Sequence, residues 1–97
     1  MITKKTIYQH LRTVIDPELN INIVDLGLIY DVKVRGKLIT ITVTLTSPGC
    51  PLVATFQEMI RLALQDLSEE VEIILTFDPP WLPDMMSEVA KAELGYE

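Results

Sequence analysis

Apolar residues at every second position between residues 28 and 45 are the feature that most limits how this chain folds. A period of two is typical of strands with one buried face. If Gly36 and Lys37 form a two-residue hairpin loop, a single register places all of these apolar residues on one side of the sheet. The pairs in that register are Val34 with Ile39, Val32 with Ile41, Tyr30 with Val43, and Leu28 with Leu45. The sequence therefore predicts a β-hairpin.

Periodicity elsewhere predicts three helices and a third strand. In chain order these are a helix that begins at a Thr3 cap and ends at Asp16-Pro17, a helix that begins at Pro51, a strand over 71–77 and a helix over 84–94. A right-handed crossover makes the second and third strands parallel. We expect an α/β (α+β) fold, a two-layer sandwich of order α-β-β-α-β-α with a three-stranded mixed sheet. A chain of 97 residues suits one domain, residues 1–97.

Composition narrows the classes of function. One cysteine and one histidine exclude an internal disulfide and the usual zinc cages, so any metal is shared between chains or bound partly by oxygen. A formal charge of −6 with scattered basic residues argues against a nucleic-acid partner. No stretch approaches the ~20 apolar residues of a membrane span, and the N-terminus lacks the pattern of a secretory signal. We expect a cytoplasmic protein without a membrane partner.

Three unusual segments are predicted to converge at one edge of the sheet, where ligand sites in α/β sheets tend to lie: 25–27, 46–51 and 78–81. Cys50 precedes Pro51 at a predicted helix start, which favours the thiolate over the thiol. It is interpreted as a metal ligand or nucleophile in preference to a small buried residue. Asp25 is predicted beside it, either as a ligand or base or as a turn-stabilising residue.

Other candidates carry two interpretations each. The Thr46 hydroxyl either bonds the Cys50 sulfur or a ligand, or ends a row of sheet threonines, and Asp16 and Glu18 either contribute to the site or are solvated. Trp81 is either a docking residue or a lid over the core. His10 is interpreted as a surface residue of the first helix, and Met85 and Met86 as packing residues.

Four ordered motifs span nearly the whole chain: Asp16-Pro17-Glu18-Leu19, residues 22–29, Thr46-Ser47-Pro48-Gly49-Cys50-Pro51, and Phe77-Asp78-Pro79-Pro80-Trp81. With these motifs the chain resembles the metal–sulfur cluster assembly factor family, which includes SufT-like and PaaD-like proteins. The resemblance implies a fold similar to the C-terminal domain of NifU scaffolds and a role in maturing iron–sulfur proteins. It maps the family's cysteine onto Cys50, its threonine onto Thr46, and its acidic motifs onto Asp16, Glu18 and Asp25.

Three hypotheses follow from these observations. The first is a transient carrier of iron or an iron–sulfur cluster that acts through Cys50, as a homodimer, because one cysteine is too few for a storage scaffold. The second is a metal-free adaptor that recruits apo client proteins to the assembly proteins through Trp81, and a PaaD-like role in maturing a ring-oxygenase system is a narrower form of the first. The third, a cysteine enzyme assisted by Asp25 or His10, ranks last because no base or oxyanion-binding pattern accompanies the thiol. We therefore predict that the protein is not an enzyme.

Overall fold

The computed structural model describes residues 2–17, 19–45 and 53–95 of the chain. Among them, the strands are β1 (Ile29–Arg35), β2 (Leu38–Val43) and β3 (Val71–Leu75). The helices are α1 (Lys4–Leu11), α2 (Val53–Leu64) and α3 (Glu88–Leu94), with a 3-10 turn at Pro83–Met85 before α3. The predicted order of helices and strands is confirmed.

The sheet has the order β1-β2-β3, with β1 antiparallel and β3 parallel to the central strand β2. This arrangement confirms the predicted mixed sheet and the parallel crossover through α2. Buried residues of β2 alternate with its half-buried threonines, as the period of two requires. The inward side chains of β2 join those of α1 and α2 in one core, which includes Ile7, Leu11, Ile39, Ile41, Val43, Ile60 and Leu64.

The hairpin register is confirmed next to the loop and wrong beyond it. Val34 pairs with Ile39 and Val32 with Ile41, as predicted. A bulge between Ile29 and Asp31 then adds Tyr30 as an extra residue, so that Val43 pairs with Ile29 and not with Tyr30. The predicted pairing of Leu28 with Leu45 fails for the same reason.

The first helix is shorter than predicted. The Thr3 cap is confirmed, since its hydroxyl accepts a hydrogen bond from the Thr6 N–H at 3.2 Å. The helix ends at Leu11, however, and Ile15 beyond it forms an isolated antiparallel bridge with Asn22. Backbone pairing with the following loop therefore replaces the last predicted turn before Asp16.

The last helix also begins later than predicted, because Met86 has extended backbone and separates the 3-10 turn from α3. The Ser87 side chain then caps α3 by accepting from the Ala90 N–H at 3.2 Å. The helix ends at Leu94, as predicted, and Gly95 follows it in the left-handed conformation.

His10 is half-buried, so the interpretation as a surface residue was wrong. Its Nδ1 lies 3.0 Å from the Ala63 carbonyl oxygen and donates to it. This bond joins α1 to the last turn of α2. The imidazole is a packing and hydrogen-bonding residue between two helices.

Candidate functional site

The edge of the sheet at which β2 and β3 end is formed by two described segments, 22–28 and 76–87, and we call it the carboxyl edge. The β1 bulge lies beside it, and bulges are frequent next to functional sites because they redirect a side chain. Here the bulged residue is Tyr30, whose hydroxyl donates to the Pro79 carbonyl at 2.7 Å and lies 3.5 Å from Met85 Sδ. Tyr30 thus holds the 78–81 segment onto β1.

The 22–28 segment is fixed by a reciprocal pair of hydrogen bonds. The Asn22 Nδ2 donates to Asp25 Oδ2 at 2.7 Å, and the Asp25 N–H donates to Asn22 Oδ1 at 2.9 Å. The Asp25 carbonyl accepts in turn from the Ser87 N–H at 2.7 Å. Asp25 therefore has the turn-stabilising role, and its carboxylate lies half-buried at the carboxyl edge.

Gly27 lies where the 22–28 segment meets the 3-10 turn. Its φ is +78°, and a Cβ placed there would lie 2.2 Å from the Met85 carbonyl oxygen. Only glycine fits this contact without displacing backbone. The Asp-Leu-Gly motif is thus explained by close packing of two backbones.

The 78–81 segment turns back over the core. The Asp78-Pro79 peptide bond is cis, and the Asp78 N–H donates to Thr76 Oγ1 at 3.2 Å. The Trp81 Nε1 donates to the Leu26 carbonyl at 2.7 Å, and the half-buried ring packs against the core. These contacts favour the lid interpretation of Trp81, and they bring together two of the three segments that were predicted to converge.

Of the other predicted site residues, the structure describes only Asp16. Cys50, Thr46 and Glu18 lie outside the described residues. The Asp16 carboxylate accepts from the Leu19 N–H at 3.0 Å in its own turn. Within residues 2–17, 19–45 and 53–95, no group of three or more His, Cys, Asp or Glu side chains could hold a metal ion.

Tyr30 and Thr44 were missed as residues of this edge. A signal existed for Tyr30, since Leu28, Ile29 and Tyr30 are three apolar residues in a row and interrupt the alternation, as a bulge does. Thr44 was interpreted only as one of a row of threonines, but it is completely buried. Burial of Thr44 depends on segments that are distant in sequence, so the alternation of apolar and polar residues along the strand does not reveal it.

Fold and carboxyl edge together define a small two-layer α+β domain with its site built from loops. The chain belongs to the family described as iron–sulfur cluster assembly protein, whose model matches residues 4–75. Iron–sulfur cluster assembly or delivery is the function of this family member. The expected family is thus confirmed.

Curated relatives and a solved structure agree with this assignment. An Fe-S protein maturation auxiliary factor of Porphyromonas gingivalis is 45% identical over 97 residues, which cover 97% of this chain and 92% of the relative. The factor SufT of Staphylococcus aureus is 44% identical over 84% of this chain and 97% of its own length. An iron-sulfur cluster carrier protein of Synechocystis is 37% identical over 90% of this chain and 26% of its own.

The fold also matches a crystal structure of a domain of unknown function, DUF59, from Bacillus anthracis. The match has a TM-score of 0.90 and 37% sequence identity, and it covers 97% of this chain and 92% of that one. None of the helices within the described part of the chain has the length and apolarity to cross a membrane.

Proposed function

We propose that the protein is a transient carrier that holds iron or an iron–sulfur cluster through the Cys50 thiolate and passes it to apo client proteins. The observation that carries this proposal is the set of hydrogen bonds that the other candidate ligands, His10 and Asp25, make within the fold. The lone histidine donates to Ala63 in the last turn of α2, and the Asp25 carboxylate, which accepts from Asn22, offers oxygen and not sulfur. Since the chain has one cysteine, Cys50 is the one thiolate that it offers to iron.

One thiolate for each chain suits a carrier better than a store. Common clusters use four protein ligands, so two chains of a homodimer supply two thiolates and leave positions for other ligands. Incomplete ligation by the carrier lets an acceptor thiol replace it. The bound iron is therefore cargo, held weakly enough to be handed over.

Oxygen ligands near Cys50 would complete the site. Asp25 is the described candidate, because hydrogen bonding by Asn22 fixes the position of one of its oxygens at the carboxyl edge. Thr46, Asp16 and Glu18 stay predictions for the same site, with Thr46 assigned to bond the sulfur or cargo. The proposed partners are iron–sulfur assembly proteins and apo clients in the cytoplasm.

Non-enzymatic action is part of the proposal. Cysteine nucleophiles work with an adjacent base. His10 donates through Nδ1 to Ala63 in the last turn of α2, and α2 runs from the end of β2 at the carboxyl edge toward the start of β3 at the other end of the sheet. The position of His10 there supports the carrier over a thiol-dependent enzyme.

A metal-free adaptor is the second candidate, and one observation favours it. Leu82, next to Trp81, is 54% exposed, and Phe77 is 38% exposed. Exposed large apolar side chains beside a site are typical of surfaces that bind proteins. In this account Leu82 and Phe77 extend the docking surface predicted at Trp81. The PaaD-like role, in which the client is a ring-oxygenase system, stays a narrower form of the carrier.

Anaerobic reconstitution with iron(II) and sulfide separates the two candidates. We expect the parent protein to take up iron with visible thiolate-to-iron absorption, and C50S to lose at least about tenfold in iron affinity, since even the loss of a hydrogen-bond partner behind a metal ligand typically costs that much. Asp25→Asn keeps an oxygen that can accept from Asn22, and we expect it to retain less iron than the parent. Asp31→Asn on β1 is the matched control and should behave as the parent. No uptake by either the parent or C50S would favour the adaptor.

A further inference from the structure

Several polar side chains at the carboxyl edge are committed to hydrogen bonds within the fold. The Tyr30 hydroxyl donates to Pro79, the Trp81 indole to Leu26, and Asn22 to Asp25. Thr76 Oγ1 accepts from the Asp78 N–H. These bonds hold the loops in place. Among the buried polar side-chain atoms of the described residues, one is the exception, and it lies just beyond the end of β2.

That exception is Thr44. It is 0% exposed, and its Oγ1 has no hydrogen-bond partner among the described residues. Its backbone is fixed, since the Thr44 N–H donates to the Leu28 carbonyl at 2.9 Å. Buried hydroxyls are nearly always paired, and burial of an unpaired one lowers stability.

We propose that Thr44 is a positioning residue whose hydroxyl donates a hydrogen bond to the Cys50 sulfur when that sulfur holds iron. The inference rests on the proposed carrier function. Thr44 stands six residues before Cys50, on the chain that leads from β2 to the motif. An anionic sulfur is a strong acceptor, and it would give this buried donor the hydrogen-bond partner that it lacks among the described residues.

Such a bond would control retention of the cargo. Hydrogen bonds to ligating sulfurs and other partners behind the ligands tune affinity and potential, and their loss typically costs 10–100-fold in metal affinity. The hydroxyl would hold Cys50 toward the metal and stabilise its negative charge. Thr44 itself would not touch the iron.

Two substitutions at this position separate the hydroxyl from the methyl group. Thr44→Val keeps the shape and removes the hydroxyl, so the cargo-free variant should unfold at the same or a higher urea concentration than the parent. Thr44→Ser keeps the hydroxyl and loses a buried methyl, so it should unfold at a lower one. Thr42→Val on β2, two residues earlier, is the control.

Iron retention should follow the opposite order. After reconstitution with iron(II) and sulfide, loss of iron to ferrozine should be roughly tenfold faster from T44V than from the parent. T44S and T42V should lose iron at about the parent's rate. If T44V is at least as stable as the parent but loses iron faster, the Thr44 hydroxyl contributes to holding the iron and not to the stability of the fold.

Several results would overturn the inference. A clear loss of stability in T44V would show that the hydroxyl already has a structural partner, and an unchanged rate of iron loss would show that it does not serve the sulfur. If C50S loses iron while T44V retains it, the carrier proposal is supported and the proposed role of Thr44 is rejected. If C50S holds iron as the parent does, or the parent takes up none, the carrier proposal fails and the role of Thr44 with it.

Discussion

Gly27 is the residue that sets how closely the 22–28 segment approaches the 3-10 turn. An alanine there would need positive φ, which costs about 1–2 kcal/mol, and would place Cβ against the Met85 carbonyl, where overpacking costs about 1–3 kcal/mol. We expect Gly27→Ala to lower the free energy of unfolding by at least about 2 kcal/mol in urea denaturation.

Gly36 in the hairpin loop is the matched control for this prediction. Its φ is +59°, and a Cβ there would meet nothing within 4 Å. Gly36→Ala should therefore cost only the backbone term, about 1–2 kcal/mol. Equal losses in the two variants would contradict the close approach of Gly27 to Met85.

At the scale of elements, the β1 bulge matters because it presents Tyr30 to the 78–81 segment. We expect Tyr30→Phe to lower the free energy of unfolding by about 1 kcal/mol, the net value of one hydrogen bond. Trp81 is the chain's single tryptophan, so its fluorescence reports on this segment alone, and its emission should shift to longer wavelength as the segment loosens.

Tyr8→Phe on α1 is a suitable comparison, since it removes the same atom from a half-buried tyrosine away from the 78–81 segment. It should leave the Trp81 emission unchanged. An unshifted spectrum in the Tyr30 variant would mean that the bulge does not hold the segment.

Sequence patterns predicted which elements exist better than where they end. Alternation and helical spacing follow from one buried face, so they revealed the hairpin, the parallel strand and the helices. The ends of α1 and α3 depend on non-local events, namely the bridge of Ile15 to Asn22 and the extended backbone at Met86. Neither contact is visible in local periodicity.

At the scale of the whole molecule, topology predicted that the Asp25 and Trp81 segments meet, and the hydrogen bond from Trp81 to Leu26 confirms it. The roles of the side chains were less predictable. Asp25 could stabilise a turn or bind a ligand, and Trp81 could bind a partner protein or cover the core. The choice depends on distances between residues far apart in sequence, which local patterns do not contain. Burial of Thr44 likewise results from segments far apart in sequence.

One core cluster draws residues from α1, the sheet, α2 and α3, so we propose that residues 1–97 act as a single domain. The two ends of its sheet differ in the segments that they carry. The hairpin loop closes one end of the sheet, and the carboxyl edge gathers the motif-bearing loops at the other. Two of the exposed large apolar side chains, Phe77 and Leu82, belong to the carboxyl edge.

Transfer of cargo tests the central claim most directly. The reconstituted parent, separated from free iron and sulfide, is mixed anaerobically with an apo-ferredoxin, and the appearance of holo-ferredoxin is followed by visible circular dichroism. We predict cluster transfer by the parent and, for C50S treated identically, no transfer above that of a buffer blank. Equal transfer by C50S and the parent would contradict a carrier that acts through Cys50.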